Sequence, residues 1–398
     1  MKGVNIMKKI GIYIHIPFCK RKCKYCDFIS FEDNICADEY VKALICEIED
    51  VEKKIYYISQ KTNNEKIVLE DISINTIYFG GGTPSYIDEK CIEKILLKVK
   101  EKFIIEKDCE ITIEVNPGTV NEDKIKKYKE IGINRISIGL QSTNNRLLNT
   151  IGRIHTYEEF LKTYELCKKN GFNNINIDLM LALPTQTEEE LKESLKQVIN
   201  LNPTHISLYS LILEENTELE KLVNEGKLPK VDEEIERKMY WNTKKILEKN
   251  GFMQYEISNY SKKGKESKHN LNCWNQEEYL AFGLAAHSYF NNVRFSNIIY
   301  LNKYIENIEK GNLIKNIEIN EVQDKSSKMK EYMMIGLRKI EGISISEFER
   351  KFEINPLFYF RFEIEELVNK DLIEVDLDNI KLTKKGLDFA NIVFESFV

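Results

Sequence analysis

Three cysteines near the start of the chain have the spacing of a metal-cluster site. Cys19, Cys23 and Cys26 form a C-x3-C-x2-C pattern, and the short spacers keep the three thiolates on one side of a loop. Thiolate is the usual ligand of iron–sulfur clusters. Three thiolates bind three irons of a 4Fe-4S cluster, so the fourth iron stays open. The pattern therefore predicts a reactive cluster.

The open iron predicts a cofactor as well. It can chelate the amino and carboxylate groups of S-adenosylmethionine (SAM), which makes SAM the expected ligand. Two other interpretations remain open at this point. A structural zinc ion would need a fourth ligand, for which His15, Asp27 and Cys36 are the nearest candidates. A disulfide is disfavoured in a chain without a secretory pattern.

The periodicity of the chain predicts an α/β fold with a parallel sheet. Apolar strands alternate with amphipathic helices, and such a pattern gives right-handed βα units. Six units predict an incomplete (β/α)6 barrel rather than a closed one. The strands are expected at 10–16, 75–79, 109–115, 133–140, 174–181 and 205–211, and the helices at 38–57, 88–102, 122–131, 157–170, 187–200 and 233–250.

Residues that could bind a ligand follow these strands. The functional site of such a barrel lies at the carboxyl ends of the strands. A glycine loop, Gly80-Gly81-Gly82-Thr83-Pro84, follows the second strand, and glycines there are expected to let a ligand approach the backbone. The other side chains at this edge are Glu114, Gln141, Asp178 and Ile212.

The pattern after residue 250 predicts secondary structure less clearly. Residues 253–300 are irregular in pattern, and 302–325 are polar and predict a linker. Helices at 326–339, 346–352 and 357–370, with a hairpin over 372–382 that turns at Asp378-Asn379, predict a small winged-helix-like domain. The expected divisions are therefore a barrel over 1–250, an extension that completes the site over 251–320, and a C-terminal domain over 321–398.

Composition restricts the function classes. The 398 residues carry a net charge of −6, which argues against a nucleic-acid binder, and the many acidic residues of the C-terminal hairpin region disfavour DNA as its partner. No apolar leader opens the chain and no apolar run of about 18 residues occurs. The protein is therefore expected to be cytoplasmic, without a membrane span; peripheral membrane contact stays open.

The residues around the cysteines resemble one family. The lead-in Tyr-Ile-His-Ile-Pro-Phe-Cys, residues 13–19, resembles the oxygen-independent coproporphyrinogen III oxidase family of radical-SAM proteins. Within that family, Cys26-Asp27-Phe28 resembles the HemW-type heme chaperones. The true oxidases place a further cysteine where this chain has Phe28.

The resemblance implies a set of SAM-binding residues. Tyr25 matches an aromatic residue beside the adenine, and Glu114 is suited to accept from ribose hydroxyls. Arg153 is suited to pair with a carboxylate. Whether one or two SAM molecules bind stays open. Matches to the first SAM site are Tyr13, Gly81 and Glu114, and matches to the second are Gly82, Thr83, Gln141, Arg153, Asp178 and Ile212.

Two histidines are the candidate heme ligands. Residues 269–274, His-Asn-Leu-Asn-Cys-Trp, resemble the His-Asn-x-x-Tyr-Trp motif of the HemW type, with Cys273 in place of the tyrosine. His287 matches the histidine of an Ala-His-Ser segment in the same proteins. Imidazole and thiolate both bind heme iron, so the ligand stays open between these groups.

The resemblance implies a radical-SAM barrel that binds a 4Fe-4S cluster, SAM and heme and passes heme to apoproteins, with a reductant protein as a further partner. The alternative is the oxidase of porphyrin biosynthesis, which decarboxylates two propionates of coproporphyrinogen III to give protoporphyrinogen IX. Phe28, the histidine segment and the twelve residues before Tyr13, where oxidases have an N-terminal extension, favour the chaperone. Oxidase activity is therefore not expected.

Overall fold

A computed structural model describes residues 7–62 and 67–398, and one large sheet forms its centre. Twelve strands of the described residues belong to this sheet. In chain order they are β1 (Lys8–Ile16), β2 (Ile72–Gly81), β3 (Ile104–Val115), β4 (Arg135–Gln141), β5 (Ile175–Leu181), β6 (His205–Ser210), β7 (Met253–Glu256), β8 (Asn259–Ser261), β9 (Tyr279–Phe282), β10 (His287–Phe290), β11 (Val293–Asn297) and β12 (Ile317–Val322).

The first six strands form the predicted parallel barrel wall. They pair in sequence order, each parallel to the next. Additional strands extend this wall at both ends, because β9 pairs in parallel with β1 and β8 pairs antiparallel with β6. The complete order is β12-β11-β10-β9-β1-β2-β3-β4-β5-β6-β8-β7.

Helices cover the outer face of the wall. The predicted helix over 38–57 is interrupted at Asp50, whose φ of −88° and ψ of 19° end one helix and begin the next. The helices up to β12 are α1 (Ala37–Glu49), α2 (Val51–Ser59), α3 (Glu89–Lys102), α4 (Glu122–Glu130), α5 (Asn145–Thr150), α6 (Tyr157–Lys169), α7 (Glu188–Asn200), α8 (Glu218–Asn224), α9 (Glu233–Lys249), α10 (Lys268–Trp274) and α11 (Leu301–Glu309).

The predicted linker over 302–325 is wrong. This segment contains α11 and β12, and α11 buries Tyr304, Ile305 and Ile308 in the barrel core. These residues lie on one helical face, but the lysines and glutamates between them lowered the average hydropathy of the segment. Residues 253–300 are likewise more regular than predicted, because they contribute five strands and α10 to the barrel.

The two faces of the barrel strands differ in polarity. In β4, Ile136, Ile138 and Leu140 are buried on the helix side. Arg135 and Ser137 alternate with them and face a cavity inside the barrel. Because side chains of a strand alternate between its two faces, this strand places a polar row toward the cavity and an apolar row toward the helices.

The C-terminal segment has a core of its own. Its buried cluster runs from Met329 to Phe397 and is separate from the barrel core, whereas residues 251–320 share the barrel core. The domain boundaries and the winged-helix comparison stay predictions. The elements are α12 (Lys325–Gly336), β13 (Ile343–Ser344), α13 (Ile345–Phe352), α14 (Pro356–Tyr359), α15 (Arg361–Asn369), β14 (Ile373–Val375), β15 (Asn379–Leu382), α16 (Lys384–Asp388) and α17 (Ala390–Glu395), with strand order β13-β15-β14.

Within the described ranges, no helix is both long enough and apolar enough to cross a membrane.

Candidate cluster and cofactor site

Most of the residues that the sequence predicts for the site line one cavity. Its volume is about 470 Å³, within the range of small-molecule sites, and it opens at the carboxyl ends of the parallel strands. The predicted residues that line it are Cys19, Cys23, Tyr25, Cys26, Gly81, Gly82, Thr83, Glu114, Gln141, Arg153, Asp178 and Ile212. Tyr13, His269 and His287 do not line it.

The cysteine loop is fixed at its base and at its far side. The backbone N–H of Cys19 donates to Phe31 O at 2.8 Å, and the N–H of Phe31 donates to Pro17 O at 2.8 Å. On the far side, the N–H of Lys24 donates to Ile151 O at 3.0 Å. These bonds hold the loop over the ends of the strands, with the Cys19 side chain buried and the other two cysteines half-buried.

Polar groups of the barrel contact two of the three sulfurs. Thr83 Oγ1 lies 3.5 Å from Cys19 Sγ, and Arg153 Nη1 lies 3.5 Å from Cys23 Sγ. Asn116 joins the two donors, since its Nδ2 donates to Thr83 Oγ1 at 2.7 Å and its Oδ1 accepts from Arg153 Nη2 at 2.7 Å. The sulfurs therefore already have donors of the kind that tune a cluster.

The Cys19 and Cys26 thiols are protonated near neutral pH in the absence of a cation. Burial raises the pKa of Cys19, and it raises the pKa of Cys26 to about 11. A metal binds the thiolate and displaces these protons. Among the described residues, no three His, Cys, Asp or Glu side chains lie close enough together to hold one metal ion. A 4Fe-4S cluster binds each thiolate through a different iron, and the three cysteines that line this cavity supply that donor set.

The glycine loop lies directly against the cysteine loop. A Cβ atom at Gly82 would approach Phe18 O to 2.9 Å and Ile16 O to 3.0 Å, and one at Gly81 would approach the His15 ring to 2.6 Å. Gly81 also has a φ of +113°, which favours glycine. The glycines are therefore required by the approach of β1 and its loop, a reason that the sequence interpretation, based on ligand access, did not include.

Two carboxylates face the cavity from β3 and β5, the strands on either side of β4. Glu114 accepts from the Tyr78 hydroxyl at 2.8 Å, and burial raises its pKa to about 7. Asp178 accepts from Asn176 Nδ2 at 2.7 Å and from Ser137 Oγ at 3.3 Å. Burial raises the pKa of Asp178 as well. Both oxygen pairs are positioned to accept from the hydroxyl or amino groups of a ligand.

Gln141 reaches the cavity through an irregular backbone. Its φ of +71° is left-handed, which is unusual for a residue other than glycine, and the register between β4 and β5 shifts between Gly139 and Gln141. Such strained residues cluster at ligand sites. The irregularity turns the end of β4 and directs Gln141 into the cavity.

The mouth of the cavity is partly apolar. Phe28 is 64% exposed and Ile212 is 67% exposed, and both line the cavity. Arg21 and Lys22 line it as well. The mouth therefore offers apolar surface beside two basic side chains.

Tyr13 and His15 support the cysteine loop from below. The Tyr13 hydroxyl lies 3.2 Å from His15 Nδ1, and His15 Nε2 lies 3.3 Å from Ile29 O. Because a carbonyl can only accept, Nε2 carries the proton and Tyr13 donates to Nδ1. Burial lowers the pKa of His15 to about 4, which keeps the ring neutral, and the nearby His287 acts in the same direction.

His269 lies inside the barrel below the cavity. Its Nδ1 is 2.9 Å from Thr76 Oγ1, and its ring stacks on Tyr78 with centroids 5.1 Å apart. Burial lowers its pKa to about 4. The next residue of the motif, Asn270, lines the cavity instead. Cys273 is half-buried further along α10 and does not line the cavity.

His287 is exposed at the same edge as the cysteine loop. It opens β10 directly after the turn that follows β9, and β9 runs parallel to β1. The turn is fixed to β1 because the Tyr40 hydroxyl donates to His15 O at 2.6 Å and accepts from Leu284 N at 3.1 Å. His287 is thus an accessible imidazole beside the lead-in strand.

Several polar cavity residues were missed by the sequence interpretation. Six of them lie on strands, and their signal was the alternation of polar and isoleucine or leucine residues in β4, β5 and β6; the other two, Asn116 after β3 and Asn270 in α10, had no such signal. These residues are Tyr78, Asn116, Arg135, Ser137, Asn176, Ser207, Tyr209 and Asn270.

Comparisons with known proteins agree with this architecture. Residues 13–198 match the Radical SAM superfamily, and residues 323–389 match the HemN C-terminal domain. Coproporphyrinogen III oxidase (HemN) from Escherichia coli, a radical SAM enzyme, superposes with a TM-score of 0.83 at 22% identity and covers 98% of this chain and 90% of that one. This likeness confirms the predicted fold class.

Two relatives match along almost the whole chain. The heme chaperone HemW of Lactococcus lactis is 36% identical over 394 residues, which is 99% of this chain and 98% of that protein. The heme chaperone HemW of Bacillus subtilis is 35% identical over 389 residues, with coverage of 97% and 98%. These matches confirm the resemblance seen in the cysteine motif: the chain belongs to the family of proteins named heme chaperone HemW.

Proposed function

We propose that this protein binds a 4Fe-4S cluster, SAM and heme, and passes the heme to apoproteins. The name of its full-length relatives supports heme as the cargo. The radical SAM match and the three cysteines that line one cavity support the cluster and SAM. The polar cavity supplies the volume and the hydrogen-bonding groups for SAM.

Cys19, Cys23 and Cys26 hold the cluster in this proposal, and a bound cluster supplies electron transfer at the cavity. The chain's own residues orient the cofactors. Glu114 accepts from ribose hydroxyls, and Arg153 donates to the Cys23 sulfur. Thr83 and the glycine loop brace the cysteine loop, so a cluster held there would lie beside the cavity residues that would bind SAM.

The observation that carries the chaperone function is the side chain at position 28. Phe28 stands where the oxidases have a further cysteine, and it presents an exposed aromatic ring at the cavity mouth. A porphyrin has a large apolar face and two or more carboxylates. Phe28 and Ile212 offer apolar contact to that face, while Arg21 and Lys22 offer charge to the carboxylates.

We propose His287 rather than His269 as the heme ligand. His287 is exposed at the edge that carries the cysteine loop. His269 is 7% exposed, and its Nδ1 already contacts Thr76. A heme could reach His269 only if the floor of the barrel opened.

The remaining proposals concern partners and location. Heme-accepting apoproteins receive the cargo, and a reductant protein supplies electrons to the cluster. The net charge of −6 argues against nucleic acid as a partner. We place the protein in the cytoplasm, because its reducing conditions keep cysteine thiols reduced and suit an oxygen-sensitive cluster.

A side-by-side assay tests the function. Anaerobically reconstituted protein is titrated with heme, and a second sample is incubated with coproporphyrinogen III, SAM and a reductant. The proposal predicts stoichiometric heme binding with a shifted absorbance band and no protoporphyrinogen IX. SAM-dependent release of carbon dioxide from coproporphyrinogen III would restore the oxidase alternative.

A further inference from the structure

The floor of the cavity carries a positive charge that makes no hydrogen bond or ion pair with any of the described residues. Arg135 opens β4, is 2% exposed, and lines the lower end of the cavity. Its buried Nε has no hydrogen-bond partner, and charges and phenols act on its guanidinium only at a distance within the described part of the chain. Arginine stays protonated in proteins, so the charge cannot be removed by titration.

The other buried cations show that Arg135 is an exception. Burying an unpaired charge is costly, and each of the other three buried cationic side chains of the described residues is paired. Lys54 donates to Glu47 Oε1 and Ala281 O, Lys124 to Ser85 O, and Lys339 to Asn275 Oδ1, at 2.7–2.8 Å.

The carboxylates that act on Arg135 favour its charged form but make no hydrogen bond with it. Glu110 and Asp178 act on the guanidinium through space, but neither forms an ion pair with it. Both already accept hydrogen bonds from other groups. The donors are Ser267 Oγ and the His269 N–H for Glu110, and Asn176 Nδ2 and Ser137 Oγ for Asp178.

We infer that Arg135 binds the carboxylate of a ligand that reaches the floor of the cavity. A guanidinium can donate two parallel hydrogen bonds to a carboxylate, and Asn176 and Asn270 add neutral polar groups to the lining of the same cavity. The inference rests on the proposed function, because that function supplies two sources of carboxylate: the methionyl group of SAM and the propionates of heme. A SAM that chelates the cluster uses its carboxylate there, so the SAM that reaches Arg135 is a second molecule.

Two pairs of ligands, each with one member that lacks the carboxylate, show whether Arg135 binds the carboxylate of SAM or that of heme. Anaerobically reconstituted wild type and R135Q are titrated with SAM and decarboxylated SAM, and with heme and heme dimethyl ester. Arg146, an exposed arginine of α5 that pairs with Glu190, supplies the control variant R146Q. Cluster content and melting temperature are measured for every sample.

R135Q should weaken binding of SAM, or of heme, at least about tenfold and leave the carboxylate-free partner of that ligand unchanged. R146Q should change neither. If R135Q loses its cluster, R135K replaces it in the same comparison. Lysine keeps the charge but cannot donate two parallel hydrogen bonds, so the affinity for the carboxylate-bearing ligand should fall several-fold. Equal effects of the substitution on both members of each pair would overturn the inference and leave the chaperone function intact. Wild-type protein that binds neither SAM nor heme would contradict the function and the inference together.

Discussion

The guanidinium of Arg153 lies 3.5 Å from the sulfur of Cys23, although 130 residues separate them in the chain. The same guanidinium donates to Asn116 Oδ1 at 2.7 Å and to Gly139 O at 2.5 Å. These bonds hold it between β3, β4 and the cysteine loop. Its position beside a cluster-ligand sulfur gives Arg153 a role in setting the cluster's properties, in addition to the SAM contact that the sequence predicts.

Replacing Arg153 should change the potential of the cluster. Hydrogen bonds and positive charge at ligand sulfurs stabilise the reduced state. We expect R153Q to lower the reduction potential by on the order of tens of millivolts, measured by redox titration with electron paramagnetic resonance. R146Q is the control with the same charge change away from the cavity. An unaltered potential in R153Q with full cluster content would contradict this role.

Each cluster cysteine should be required for iron binding. Cys19→Ala, Cys23→Ala and Cys26→Ala each remove one of three ligands, so most iron and sulfide should be lost after anaerobic reconstitution. Cys46→Ala is the matched control, because Cys46 is an exposed cysteine of α1 that does not line the cavity. Iron and sulfide analysis gives the result, and retention of the cluster in all three cavity variants would refute the assignment.

Glu114 should make the cofactor-free protein less stable as the pH rises. Its folded pKa of about 7 lies above the ordinary value of 4.5, so the folded state binds more protons between these values. The stability from this group is complete below pH 4.5 and is lost as the pH rises through 7. Relative to E114Q, the wild type should lose up to about 3 kcal/mol of unfolding free energy over this window.

Urea unfolding of wild type and E114Q at pH 5, 6, 7 and 8 measures this difference. His15 and His269 are present in both proteins, so their own titration cancels in the comparison. A difference in unfolding free energy that does not change between pH 5 and pH 8 would show that Glu114 titrates normally.

The two candidate heme ligands should behave differently. H287A should shift the absorbance spectrum of bound heme, because it removes an exposed imidazole at the cofactor edge. H269A should leave that spectrum unchanged but lower the unfolding free energy by about 1–3 kcal/mol, since Thr76 loses a buried partner. A spectral change in H269A alone would reverse the assignment and require the barrel floor to open for heme.

The sequence predicted the barrel and its ligand edge because both follow from local patterns. Strands β1 to β6 are short apolar runs that alternate with helices, and parallel strands bring Glu114, Gln141 and Asp178 to one edge whatever the details of packing. The spacing of the three cysteines was enough to predict the cluster site. This part of the site could therefore be located without coordinates.

The remaining features depend on tertiary packing. In the sequence, the motif that contains His269 indicates a ligand site, as the cysteine motif does. In the structure, however, α10 passes beneath the barrel, so Asn270 rather than His269 lines the cavity. The requirement for Gly82 comes from the Phe18 backbone, which is 64 residues away in the chain. Arg135 is an ordinary strand residue in the sequence, and what distinguishes it is burial with no hydrogen-bond partner among residues 7–62 and 67–398.

The most direct test of the central claim is the transfer of heme. Reconstituted protein is loaded with one equivalent of heme, freed of excess heme, and mixed anaerobically with the apo form of a heme protein. After the two proteins are separated, heme is measured in each. The proposed function predicts that heme moves to the acceptor and leaves this protein with its cluster intact. Heme that is never bound, or that stays bound while the acceptor remains empty, would contradict it.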